Sequence, residues 1–242
     1  MSRRLFLHEI IDIVGLGAWP YMELTLAARG DEKVNFELMG TFYTMGITGR
    51  WSQVVNLWEV PGGWSGWEVA VDRLNLRRKA NRELEAWWTE AHRHRTGGTD
   101  RLLAGAPGCP SLAELVERGV RGRLFVHEIT EVRPGAALDY LVAVRDVRAP
   151  LLAEYGHTLV GLYEVMFTDT EVCTIWATDV ADHVRVARAR DAALGWEEGV
   201  EGDVRLVAWE RTRRELTIRW REELMTPYPG IPIGPESFDP DT

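Results

Sequence analysis

Residues 5–10 read LFLHEI and residues 124–129 read LFVHEI, so five of six letters agree across 119 residues. Collinear partners follow in the same order. LMGTFYTM at 38–45 faces LVGLYEVM at 159–166, which matches Gly40 to Gly161 and Met45 to Met166. VVNLW at 54–58 faces VCTIW at 172–176, which matches Trp58 to Trp176. These pairings keep offsets between 118 and 121 residues. A fourth, DRLL at 100–103 with DVRLV at 203–207, drops to about 104. Matches in one order at nearly one offset are the mark of an internal duplication.

Each half carries the same pattern of elements. In the second, RLFVHEITEV alternates as a strand and stops at Pro134-Gly135. ALDYLVAVRDVRAPLLAEY has helical spacing. TLVGLYEVMF and EVCTIWATD form a hairpin across Thr168-Asp169-Thr170. DHVRVARARDAALGWEEG reads as a second helix and DVRLVAWERT as a last strand. The order is βαββαβ, a ferredoxin-like unit. The first half follows it, with a longer second helix over WEVAVDRLNLRRKANRELEAWWTEAHRHR. The expected fold is therefore α+β: a tandem duplication of a ferredoxin-like unit, with the two sheets facing each other as a barrel around a central cavity. Residues 1–105 form the first repeat and 106–121 a linker with a short helix at SLAELVE. Residues 122–225 form the second repeat and 226–242 an extended arm rich in proline and glycine.

Composition narrows the function classes. The chain has 242 residues, 45% of them apolar, and a net charge of −9. An acidic surface disfavours nucleic acid and anionic membranes as partners. Arginine greatly outnumbers lysine (Lys33 and Lys79 alone), as a high-GC, bacterial genome would encode. Neither a signal peptide nor a membrane span is read, so cytoplasm is the expected compartment. Cys109 and Cys173 lack metal or disulfide spacing, and no metal site is expected. GLGAWP at 15–20 has Pro20 where a dinucleotide loop needs glycine.

The stretch LHEI…LMGTFYTMGITGRWSQVVNLWEV, with the following tryptophan- and arginine-rich helix and RLL, resembles the NIPSNAP family of the dimeric α/β-barrel superfamily. The hairpin match runs through Gly40, Gln53, Val54, Leu57 and Trp58. Asn56 stands where that family often has histidine, so no role of that histidine carries over. The resemblance implies a fold more than a reaction. The superfamily includes cofactor-free monooxygenases, haem enzymes, isomerases and proteins without known chemistry.

Alternation along the first strand puts Phe6, His8, Ile10 and Asp12 on one face and Leu7, Glu9, Ile11 and Ile13 on the other. The second set is the more apolar and is placed under the helices. His8 and its repeat partner His127 then look into the cavity as candidate acid/base residues. The same reasoning places Asn56, Trp58, Thr174 and Trp176 inward as substrate contacts, with Tyr43 as a further hydrogen-bond donor, and turns Cys173 toward the helices. The competing reading is structural, since duplication alone preserves both histidines. Glu9 and Glu128 are read as partners of arginines.

Three functions follow. One is a small-molecule enzyme using general acid/base chemistry of isomerase, dehydratase or cofactor-free monooxygenase type. Its substrate is a hydrophobic organic molecule, and no cofactor is expected. The second is haem binding through a histidine. The third is a non-catalytic ligand-binding or scaffold protein. A homo-oligomer is expected, because the arm carries Tyr228, Ile231, Ile233 and Phe238 for a neighbour or for its own barrel.

Overall fold

The computed structural model describes residues 3–28, 36–77 and 81–238. The first half runs β1 (Leu5–Ile13), α1 (Ala18–Ala27), β2 (Glu37–Thr44), β3 (Gln53–Val60), α2 (Trp64–Val71), α3 (Arg82–Ala91) and β4 (Arg95–Gly105). A short α4 (Leu112–Glu117) forms the linker, closed by a Ser111/Glu114 capping box. The second half runs β5 (Leu124–Val132), α5 (Ala137–Ala143), α6 (Ala149–Ala153), β6 (Thr158–Val165), β7 (Glu171–Thr178), α7 (Val180–Ala193), α8 (Val204–Leu216) and β8 (Thr217–Pro227). A π-helical turn at 72–76 continues α2, and one at 144–148 joins α5 to α6. No helix among the described residues is long and apolar enough to cross a membrane.

The eight strands close into one barrel in the order β1-β3-β2-β8-β5-β7-β6-β4. Each half contributes four antiparallel strands with its first strand in the middle. The seams are β2–β8 and β4–β6, where the edge strands of one half pair with those of the other. The duplication thus removes every open sheet edge among the described strands.

The end of the second repeat differs from the sequence reading. Of residues 203–212, expected as the last strand, 204–212 belong to α8, whose buried face carries Leu206 and Trp209, and the Asp203 side chain caps its start. A short apolar run such as VRLVAW fits either period, and here the helical face is the one that covers the sheet. The last strand is β8. Arg101 stands opposite His8 and Glu223 opposite His127, an offset of 122 residues, so the repeat continues without the contraction to about 104. Each half therefore has two helices before its last strand. β8 also reaches past 225, and the residues after it fold back onto their own barrel. Ile231 and Ile233 are buried in the core, and the Gly122 amide donates to the Ile233 carbonyl at 2.9 Å.

The barrel interior is packed. Phe6 meets Tyr163 with ring centroids 4.8 Å apart, and their repeat equivalents Phe125 and Phe42 meet at 4.6 Å. Gly40 and Gly161 sit at matching β-bulges, where the rings of Phe42 and Tyr163 fold over them. A Cβ at either glycine would fall inside the ring. That close approach explains why this glycine persists in both halves.

Candidate functional site

His8 and His127 meet at the centre of the barrel, with Nε2 to Nε2 at 3.0 Å. They are 0% and 1% exposed. Burial, then His127, then Arg101 push the His8 imidazolium well below its ordinary range. The inward face expected for both residues is the face they occupy, but it is a packed core closed to solvent.

Register decides the rest. His8 pairs with Leu57 and Ile10 with Val55, so Leu57 and Val55 look inward. Glu9 pairs with Asn56 and Leu7 with Trp58, which turns Asn56 and Trp58 outward, toward the helices. The second half obeys the same rule: Glu128 pairs with Thr174 and Val126 with Trp176. The inward placement of Asn56, Trp58, Thr174 and Trp176 is thus corrected, as is the outward placement of Cys173. The central strands β3 and β7 are buried on both faces, so alternation within them carried no signal of side. Tyr43 is half-buried on the outward face, its hydroxyl donating to Ser52 Oγ at 3.4 Å.

The outward face is organised around the repeated glutamates. Trp58 Nε1 and Asn56 Nδ2 donate to Glu9 Oε2 at 2.8 and 3.1 Å, and Thr41 donates to Asn56 Oδ1 at 2.6 Å. In the second half Trp176 Nε1 and Thr174 Oγ1 donate to Glu128 Oε2 at 2.9 and 2.5 Å, and Trp220 Nε1 to Oε1 at 2.9 Å.

The halves then diverge. Glu128 is sealed by Arg148, whose Nη1 lies 2.7 and 2.6 Å from its two oxygens. The Arg148 guanidinium is stacked between Trp176 and Trp209 at 5.1 and 5.7 Å. Burial alone would raise the Glu128 carboxyl, but Arg148 and the hydrogen bonds hold it below the ordinary value. This is the arginine pairing expected from sequence. Glu9 differs: among the described residues no cation lies within ion-pair distance. Arg29 stands at the repeat position of Arg148, at the 119-residue offset, and lies outside the described residues. Burial and the facing Asp100 push the Glu9 carboxyl upward, against the opposing effects of Trp58, Asn56 and Arg95. Asp100, directly across the β1–β4 ladder, is also raised by burial, with Arg95 opposing.

Glu9 opens into a cavity of about 520 Å³ between the first sheet and helices α2 and α3. The walls are chiefly Trp58, Trp67, Trp87, Trp88, Leu84 and Phe167, with Asp100 beside Glu9. The cavity exists because α2 and α3 bury little against the sheet, only Gly66, Ala70 and Ala91. On the second half, Trp209 of α8 packs over the Arg148 guanidinium that holds Glu128. Sequence reasoning set Glu9 aside and did not single out Asp100, Trp67, Trp87 or Trp88. The available signal was the shared repeat of Glu9/Glu128 with Trp58/Trp176.

No protein-family model and no curated protein matches the sequence. Solved structures do match the fold. A protein named as a candidate monooxygenase from Fusobacterium nucleatum subsp. nucleatum superposes with a TM-score of 0.60 over 93% of both chains at 8% identity. An anthrone oxidase-like protein gives 0.59 over 94% of this chain and 92% of its own at 10% identity. A NIPSNAP domain protein from Burkholderia xenovorans aligns along 99% of its length with 44% of this chain, at 17% identity and a TM-score of 0.35. The fold is accordingly of the dimeric α/β-barrel type, shared with the monooxygenase-named and anthrone oxidase-like proteins, with both four-stranded units of the barrel supplied by one polypeptide.

Proposed function

We propose that the chain is a small-molecule enzyme that removes a proton from an activated carbon of a hydrophobic aromatic substrate, with Glu9 as the base. The observation that carries this reading is a carboxylate with an upward-shifted pKa at the floor of a tryptophan-lined cavity. The volume and apolar walls suit a polycyclic or substituted aromatic compound. Among the described residues, Trp58 and Asn56 hold the carboxylate through one oxygen, Oε2, and Oε1 is the oxygen assigned to the substrate proton. A raised pKa makes the carboxylate a stronger base and keeps its protonated form available at mildly acidic pH. The C–H proton passes to Glu9 and the electron pair remains on the substrate as an enolate or phenolate-type anion. Return of the proton at another carbon makes the reaction an isomerisation. Capture of the anion by dioxygen and a proton gives a hydroperoxide, which loses water to leave a carbonyl, an oxygenation in which the substrate is the reductant. The names of two structural neighbours, a monooxygenase and an anthrone oxidase-like protein, point to oxygenation.

The cavity walls do not fit haem. Among the described residues lining the cavity there is no histidine, cysteine, tyrosine or methionine to serve as an axial ligand. His8 and His127 lie on the other side of the sheet. The test uses anthrone, a carbon acid of suitable size. Its exchange of deuterium from D₂O, followed by mass spectrometry, should be accelerated by the protein, and its binding should quench cavity tryptophan fluorescence. Binding without accelerated exchange makes the chain a ligand-binding protein. Neither binding nor exchange, with anthrone or simpler phenols, overturns the reading.

A further inference from the structure

The barrel core contains more polar chemistry than its packing requires. A ring nitrogen of His8, a ring nitrogen of His127 and the Cys173 thiol lie within 4.8 Å of one another, all three residues buried. Both Nδ1 atoms of the histidine pair lack a hydrogen-bond partner, and so does Glu223 Oε2, 3.7 Å from His127 Nδ1. A histidine pair joined only to itself leaves these buried polar atoms unsatisfied, at a cost on the order of 1–3 kcal/mol per group.

Duplication accounts for the two histidines but not for their neighbours. Cys173 occupies the repeat position of Val55, and Glu223 that of Arg101. A soft sulfur ligand and a carboxylate have thus been placed beside the pair by the second half alone. We propose that His8, His127 and Cys173 bind a borderline-soft divalent metal ion, zinc foremost, in the centre of the barrel.

Geometry and charge both support the site. Zinc takes imidazole nitrogen at about 2.0–2.1 Å and thiolate sulfur at about 2.3 Å, tetrahedrally. Two nitrogens on one such ion stand roughly 3.3 Å apart, against the 3.0 Å between the rings. Small side-chain rotations bring the sulfur in. With both Nε2 atoms on the metal, both histidines carry their proton on Nδ1, and His127 then aims a donor at Glu223. That carboxylate–histidine–metal relay is the usual outer-sphere support for a histidine ligand. Two neutral imidazoles and a thiolate offset one charge of a divalent ion, and the Glu223 carboxylate, whose Oε1 pairs with Arg221 Nε at 3.3 Å, turns Oε2 toward the site. Arg101 is already matched by Glu171 through two bonds of 3.1 and 3.0 Å. One ligand comes from the first half and two from the second, so the ion would cross-link the repeats. The site is separated from the Glu9 cavity by the first sheet and does not depend on the proposed activity.

Because the core is closed, loading must accompany folding. The full chain is refolded with Zn²⁺ or Co²⁺, passed through a desalting column, and analysed for metal. The expected result is about one ion per chain, a thiolate-to-cobalt charge-transfer band, and a higher melting temperature than the chain refolded with chelator. Cys173→Ser should abolish the band and Cys109→Ser should retain it. His8→Gln and His127→Gln should each lose the ion. If those variants fail to fold, the wild-type band and its loss in Cys173→Ser decide alone. Folded wild-type chain that emerges without metal overturns the proposal. So does metal retained without the band and unaffected by Cys173→Ser, which would place it on exposed residues such as His92.

Discussion

Replacing Glu9 and Glu128 separately with glutamine should produce opposite failures. At Glu9 both donors, Trp58 Nε1 and Asn56 Nδ2, reach the same oxygen, and a glutamine carbonyl accepts both. No described cation is left stranded, so Glu9→Gln should change stability by no more than about 1 kcal/mol. It does remove the base, and loss of general-base help costs roughly 10²–10⁴ in rate. At Glu128 the same change leaves the buried Arg148 guanidinium, 7% exposed, without its partner. Glu222, 3.9 Å away, compensates only in part. Breaking a buried pair from one side costs about 3–5 kcal/mol. In a chain of this size each kcal/mol moves the melting temperature by about 2–4 °C, so the expected fall is about 6–20 °C. Calorimetry gives the second quantity and deuterium exchange into anthrone the first. The reasoning is refuted if Glu9→Gln exchanges anthrone at the wild-type rate, or if Glu128→Gln melts with the wild type.

Other perturbations follow from the same geometry. The Glu9 carboxyl titrates above its ordinary 4.5 in the folded chain, so between 4.5 and that raised value the folded state holds a proton the unfolded state has released. Wild-type stability relative to Glu9→Gln should therefore fall as pH rises through this window and then level off; melting curves showing the reverse slope would contradict the raised pKa. Ala70→Phe, on the cavity wall at 2% exposure, should abolish tryptophan quenching by anthrone while circular dichroism stays native; unchanged quenching would move the ligand elsewhere. Gly161→Ala drives a methyl into the Tyr163 ring and should cost about 1–3 kcal/mol in urea unfolding. Truncation after Pro227 removes Ile231 and Ile233, each 1% exposed or less; burying such side chains contributes about 1.5–3 kcal/mol apiece, so a truncated chain as stable as the full one would show that the arm does not belong to this core.

The sequence by itself determined the duplication, the α+β class and the identity of the residues that matter in pairs. LFLHEI and LFVHEI mark the two central strands, and Gly40 with Gly161 mark the bulges where rings fold over the backbone. Internal repetition made these legible, because each half serves as a control for the other. Which face each residue serves was legible only for β1 and β5. In β3 and β7 both faces are buried, one in the barrel and one under helices, so hydrophobic alternation vanishes and only pairing to the neighbouring strand settles the register. The α8 segment shows the same limit from another side: a short apolar run is helix or strand according to what it must cover. The site itself was a tertiary decision. Glu9 and Glu128 sit in nearly the same stretch, LFLHEI and LFVHEI, yet one is sealed by Arg148 and stacked tryptophans while the other faces a cavity. That difference arises from how closely two helices approach a sheet, a quantity set by the sum of distant packing contacts and written in no single stretch of the chain.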